Sequence, residues 1–172
     1  MQRLDKEYKI LDTCAAPGGK SLHIASKYFN STLISCDKYI HKLKLIEDNK
    51  EKLDITNIQV REQDATVNND SFIDNFDIVV CDVPCSGIGV IKNKPEIKYK
   101  ITNAYIEDIA KLQYQILENS KNYVKQGGTL MYSTCTIDKR ENIKNIEKFL
   151  KENKDFSLEN ITLNNSIVKS RE

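Results

Sequence analysis

Short apolar runs alternate with segments whose apolar residues recur every three or four positions, from one end of the chain to the other. The runs predict strands at residues 8–12, 32–37, 58–62, 76–82 and 129–134, with a weaker sixth at 156–161. Between them, Leu22, Ala25, Ser26 and Phe29 trace one face of a helix, and Ile40, Leu43, Ile46 and Leu53 trace a second. A third helix is predicted over residues 103–124, with Ile106, Ile109, Ala110, Ile116, Leu117 and Tyr123 inward and a stop at Gly127-Gly128, where a missing Cβ permits a left-handed cap. A fourth is predicted from residue 138, with Ile143, Ile146, Phe149 and Leu150 facing the core. Strand and helix taking turns in this way predict an α/β fold, a doubly wound parallel sheet. The longest irregular stretch, residues 83–100, is long enough to suggest a functional loop.

The length of 172 residues suits one domain spanning 1–172. A formal net charge of +1 gives no global field for nucleic acid, so any such contact must be a local patch. No apolar run reaches the ~18 residues of a membrane span, and five cysteines without a secretory signal predict a reducing compartment, the cytoplasm. Cys81 and Cys85 have the spacing of half a zinc site, but no second pair or nearby histidine completes four ligands, so no metal is expected. The chain is expected to have no membrane partner and to be monomeric.

Chemistry concentrates where the predicted strands end. Cys14-Ala15-Ala16-Pro17-Gly18-Gly19-Lys20 follows the first strand and leads into a helix, so small residues let the backbone approach a ligand beside free helix N–H groups. The same residues also suit a plain strand-to-helix turn. Asp37 ends the second strand, where an acid accepts bonds from ribose hydroxyls or caps the next helix. Asp64 follows the third strand and is either a reader of an adenine amino group or a solvated turn residue. In a doubly wound sheet, ligands bind beyond the carboxyl ends of the strands, where the strand order reverses. Asp82-Val83-Pro84-Cys85 and Ser133-Thr134-Cys135 bring two cysteines to that crevice, whereas Cys36 and Cys81, inside strands, read as structural. A pair of cysteines beside a nucleotide pocket suggests covalent chemistry on a pyrimidine. The absence of G-x-G-x-x-G disfavours a dinucleotide-dependent enzyme.

Three ordered segments carry a resemblance. Residues 12–21 (DTCAAPGGKS), 82–89 (DVPCSGIG) and 132–136 (YSTCT) with Glu141-Asn142 resemble motifs of the RsmB/NOP2/Sun RNA cytosine-C5 methyltransferases, most closely the bacterial small-subunit rRNA enzymes. The resemblance implies the Rossmann-like sheet of class I S-adenosylmethionine-dependent methyltransferases. It implies S-adenosylmethionine as cofactor, held by Cys14, Ala15, Ala16, Pro17, Gly18, Gly19, Lys20, Asp37, Asp64 and Asp82. It also implies RNA, specifically rRNA, as partner, with Cys135 as nucleophile, Cys85 in product release and Asp82 beside the base edge. Residues 92–99 resemble the family's basic loop, with lysine where arginine is more usual.

Departures are mild within the motifs, where Val83 replaces a common alanine and Ser21 a common threonine. The family's upstream segment and later strands have no counterpart, so the chain reads as a catalytic core cut at both ends. A cofactor-binding fragment without turnover stands as the alternative reading.

Overall fold

The computed structural model describes residues 7–99, 101–159, 162–163 and 166–167. Five strands, β1 (Lys9–Asp12), β2 (Thr32–Asp37), β3 (Ile58–Glu62), β4 (Phe76–Asp82) and β5 (Val124–Ser133), form one parallel sheet in the order β3-β2-β1-β4-β5. Among the described residues, four α-helices complete it: α1 (Gly19–Lys27), α2 (Ile40–Lys52), α3 (Asn103–Ser120) and α4 (Ile143–Glu152). The expected doubly wound α/β architecture is therefore present, and the order reverses between β1 and β4.

Adjacent residues in the central strands point to opposite faces, and both faces are apolar. Leu11, Ile34 and Val79 join Phe72, Phe76, Ile116 and Tyr123 in one core, while Ile10, Leu33 and Val80 join Leu22 and Ala25 of α1 in the other. Two buried faces explain why these strands read as continuous apolar runs. On the first side, Phe72 meets Phe76 and Tyr123 edge to face, with ring centroids 5.4 and 5.6 Å apart.

Four expectations need correction. Gly127-Gly128 does not end a helix: α3 stops at Ser120, a single 3-10 turn covers Lys121–Tyr123, and the glycines lie inside β5. There the pairing jumps from Phe76 opposite Val124 to Ile78 opposite Thr129, so β5 carries a bulge, with Gly127 at φ 75°. A Cβ on Gly128 would meet the Asp77 and Lys125 carbonyls at 2.9 Å. The fourth helix begins at Ile143, because Asp138, Arg140, Glu141 and Asn142 turn their side chains into other contacts. Phe29, Ile40, Leu53 and Ile143, expected inward, are exposed; Phe29 lies past the end of α1 and the others at or beside helix ends. The weaker sixth strand is absent over residues 156–159. Phe156 turns onto Phe149 of α4, with centroids 5.2 Å apart, and Ser157, Leu158 and Glu159 cross an apolar groove instead of pairing with β5. The rest of that expectation, residues 160–161, lies outside the described residues. Two short strands, Thr162–Leu163 and Ser166–Ile167, pair antiparallel.

Candidate active site

At the carboxyl ends of the strands, the loop after β1 folds back over the sheet edge. Asp12 closes β1, is fully buried, and accepts bonds from the Ser21 hydroxyl (2.6 Å) and the Cys14 N–H (3.4 Å), tying the strand end to α1. Burial raises the Asp12 carboxyl to about 6, because only these two donors replace water around it. Ala15 is buried against Leu43 and Ile46, while Pro17, Gly19 and Lys20 are exposed on the outer turn and Gly18 closes it with an N–H bond to the Ala15 carbonyl (2.7 Å).

A cavity of about 430 Å³ opens beyond β1, β2 and β4. Cys14, Ala16, Asp37, Asp64 and Asp82 line it, with Thr13, Lys38, Tyr39, Lys42, Leu112 and Ile116. Ala15, Pro17, Gly18, Gly19 and Lys20 do not line it; they form the turn that carries Cys14 and Ala16 to its wall. Asp37 accepts the Ala16 N–H (3.3 Å) and the Tyr39 N–H (3.1 Å), and it is not the cap of α2, which begins after Tyr39 without a side-chain cap. Its carboxylate keeps further acceptor positions toward the cavity. Asp64 binds the Thr66 N–H (2.9 Å) and hydroxyl (2.7 Å) and pairs with Lys38 at 2.7 Å. The Lys38 hydrogen bond, followed by the Thr66 bonds, holds the Asp64 carboxyl down at about 2. Asp82, at the end of β4, pairs with Lys20 and accepts the Ser133 hydroxyl at 2.6 Å.

Pro84 lines this cavity, and Cys85, the next residue, lines a second one of about 270 Å³ with Ser86, Gly87, Lys94, Tyr105 and Cys135. The Cys135 N–H donates to the Cys85 sulfur at 3.2 Å, so the two loops place both cysteines side by side. Cys135 is exposed and Cys85 half-buried. Burial raises the Cys85 thiol to about 11, with the neighbouring Cys135 thiol adding to the shift. Cys36 and Cys81 are buried in the strands, and burial raises them to about 12 and about 11. Over residues 83–99 the loop is not shapeless. It holds 3-10 turns at Ile88–Val90 and Pro95–Tyr99, and Gly89 donates its N–H to the Cys135 carbonyl at 3.1 Å. A Cβ at Gly89 would stand 2.8 Å from that oxygen, so only glycine allows the loop this close.

Beneath the cysteines lies a polar layer that joins the motif residues Ser86, Thr136 and Glu141 to Gln113, which the motifs do not include. Gln113 of α3 is fully buried, donates to the Pro84 carbonyl and to Glu141 at 2.9 Å each, and accepts the Tyr132 hydroxyl at 3.2 Å. Its signal in the sequence was a glutamine on the inward face otherwise formed by Ile106, Ala110 and Leu117. Among the described residues, no group of His, Cys, Asp and Glu is placed to hold a metal ion, and no helix is long and apolar enough to cross a membrane.

The chain is 43% identical over 149 residues to the probable ribosomal RNA small subunit methyltransferase B of Bacillus subtilis, covering 86% of this chain and 33% of that protein. It is 37% identical over 152 residues to ribosomal RNA small subunit methyltransferase B of Shewanella oneidensis, covering 88% and 36%. The chain thus spans about a third of the length of these curated relatives. Among solved structures, NSun6 from Pyrococcus horikoshii with SFG superposes with a TM-score of 0.74 at 29% identity, over 86% of this chain and 38% of that one. A methyltransferase homolog protein from Pyrococcus horikoshii gives 0.77 at 26%, over 93% and 49%. The Rossmann-like sheet is that of the class I S-adenosylmethionine-dependent methyltransferases. With the model of the 16S rRNA methyltransferase RsmB/F family matching residues 2–171, the sheet order and the shared relatives lead to one assignment: the chain belongs to that family.

Proposed function

We propose that this chain is the catalytic core that transfers a methyl group from S-adenosylmethionine to C5 of a cytosine in RNA, with 16S rRNA as substrate, in the cytoplasm and as a monomer. The observation that carries the reading is the contact between the Cys135 N–H and the Cys85 sulfur at 3.2 Å, across a wall from a cavity rimmed by carboxylates. Names of the relatives support rRNA as the substrate class.

The cavity's donor and acceptor set fits the cofactor. Asp37 offers free acceptor positions for a ribose diol, Asp64 stands on the neighbouring strand end beside Lys38, and the backbone around Cys14 and Ala16 allows close approach. When bound, S-adenosylmethionine supplies a methyl group on a positively charged sulfur.

C5 of cytosine is too weak a nucleophile to take that methyl group unaided. We assign Cys135 to attack: its sulfur bonds to C6, its proton passes through Asp82 to N3 of the base, and electron density moves to C5. Asp82, fixed by Lys20 and Ser133, exchanges a proton with the base edge and so limits the charge that builds up. After C5 carries the methyl group, its proton passes to water, the ring double bond is restored, and the Cys135 sulfur leaves and regains its proton from N3 through Asp82. Cys85 assists that last step. Cys135 is the more exposed of the two cysteines and Cys85 is half-buried, which favours Cys135 as the attacking group. C5 and C6 are inaccessible in a stacked helix, so the target cytosine is unpaired or flipped out. Lys94 lines the cysteine cavity, and with Lys92 and Lys98 on the same loop it provides a local basic contact for phosphates.

The test is a denaturing gel of RNA with this core joined to the remaining length of its relatives. Cys85→Ala is expected to accumulate a shifted protein–RNA band, and Cys135→Ala to give neither band nor product. The reverse pattern would exchange the two roles, and full methyl transfer by Cys135→Ala would remove the covalent reading altogether.

A further inference from the structure

Cys85 and Cys135 sit on separate loops, yet the residues next to them converge on one side chain. Glu141 is fully buried. It accepts the Ser86 N–H (2.8 Å), the Ser86 hydroxyl, the Thr136 hydroxyl (3.1 Å) and the Gln113 amide (2.9 Å). Ser86 directly follows Cys85, and Thr136 directly follows Cys135. On the other side of Cys85, the Pro84 carbonyl is held by the same Gln113 amide group (2.9 Å). On the other side of Cys135, the Thr134 hydroxyl bonds to Asn142, whose amide also holds the Thr136 carbonyl (2.9 Å).

Both neighbours of each cysteine are therefore fixed by Gln113, Glu141 and Asn142. Four donors on two oxygens fill the acceptor capacity of a carboxylate. Among the described residues, no lysine or arginine pairs with Glu141. A buried carboxylate without a counter-ion is a poor way to stabilise a fold, since an apolar residue of similar volume avoids the desolvation cost. What it provides is a common anchor for two loops from different strands.

We propose that Glu141, braced by Gln113, is a positioning residue that sets the spacing of the two cysteines. The proposal rests on the two-cysteine reading above for its purpose. Its geometry is tested without that reading. Sliding one loop against the other breaks at least two buried hydrogen bonds to a charged group, and bonds of that kind are the strong ones.

The experiment measures alkylation of each cysteine by iodoacetamide, followed by peptide mass spectrometry on this chain and its variants. In Glu141→Gln, one acceptor oxygen becomes a donor facing other donors, so the loops separate. The Cys85 alkylation rate is expected to rise about tenfold at fixed pH, and its pH midpoint to fall from about 11 toward an ordinary thiol near ~8.5. Gln113→Leu gives the same change. Thr136→Val gives a smaller one, about threefold, while Thr136→Ser keeps the hydroxyl and behaves as the parent. Cys36, Cys81 and the affinity for S-adenosylmethionine stay within twofold throughout. An unchanged Cys85 rate and midpoint in folded Glu141→Gln would overturn the proposal. So would a rise shared by all five cysteines, which marks general loosening. If Glu141→Gln does not fold, the Thr136 pair decides, and equal rates in Thr136→Val and Thr136→Ser would overturn it. Methyl transfer surviving in Cys135→Ala would defeat the catalytic reading and leave these thiol measurements standing.

Discussion

The two halves of the site are built in opposite ways. Around the larger cavity, acceptors are left open: Asp37 spends two bonds on backbone N–H groups and lines the cavity with acceptor positions to spare. Around the cysteines, polar groups are closed on one another, and Glu141 takes four donors out of contact with solvent. A ligand that brings its own hydroxyls and amino groups needs an unfinished surface. Two thiols on separate loops that must keep a fixed spacing need a finished one.

The largest expected effect tests Asp12, the buried carboxylate of the open half, which has two donors where Glu141 has four. Its carboxyl is raised from 3.8 to about 6, so the folded chain holds that proton more tightly than the unfolded chain. Its contribution to stability is then greatest below about pH 4, falls as pH rises to about 6, and is level above, a loss of about 3 kcal/mol. Asp64 works in the opposite sense and in a lower window. Held down at about 2, it stabilises above about pH 4 and loses that effect as pH falls toward 2. Asp12→Asn is expected to flatten the pH 4 to 6 slope in denaturant unfolding, and a slope that persists would mean the two donors suffice.

Next in size, if Asp37 holds the ribose diol as proposed, Asp37→Ala loses charge-assisted bonds worth about 1.5–3 kcal/mol and should weaken S-adenosylmethionine binding by one to two decades in calorimetry. An unchanged dissociation constant would make Asp37 a loop fastener only. Gly89→Ala forces a Cβ to within 2.8 Å of the Cys135 carbonyl, and about 1–2 kcal/mol of stability should be lost as the closed half shifts. The smallest effect belongs to Lys20→Ala. The Lys20–Asp82 pair is partly exposed, so thermal unfolding should register less than about 1 kcal/mol.

Legibility follows the same division. Ile10-Leu11, Leu33-Ile34 and Val79-Val80 each send one side chain to either core, so the strands could be read from apolar runs alone. The ends of the runs also located Asp37, Asp82 and Cys85, since a parallel sheet delivers all its strand ends to one side. Gly127-Gly128 misled because a helix cap and a strand bulge use the same residue for the same freedom. The start of α4 was hidden by contacts across the fold: Glu141 meets Gln113 at a separation of 28 positions and Ser86 at 55. Periodicity reaches one turn or one pleat and carries no record of such bonds. Yet Gln113 and Asn145, polar residues on the inward faces of α3 and α4, mark where those partners wait.

The bulge in β5 acts as a phase adjuster. Between the pairs Phe76–Val124 and Ile78–Thr129, β4 advances two residues and β5 five, an odd difference of three in a structure whose side chains alternate with a period of two. Removing one residue there would make the difference even. If the base of β5 kept its seat against Phe76, every side chain from Thr129 onward would exchange faces, and Ser133 would turn away from Asp82. Insertions and deletions at this bulge should therefore be tolerated in pairs and rejected singly, although it lies at the far end of the strand from the cysteines.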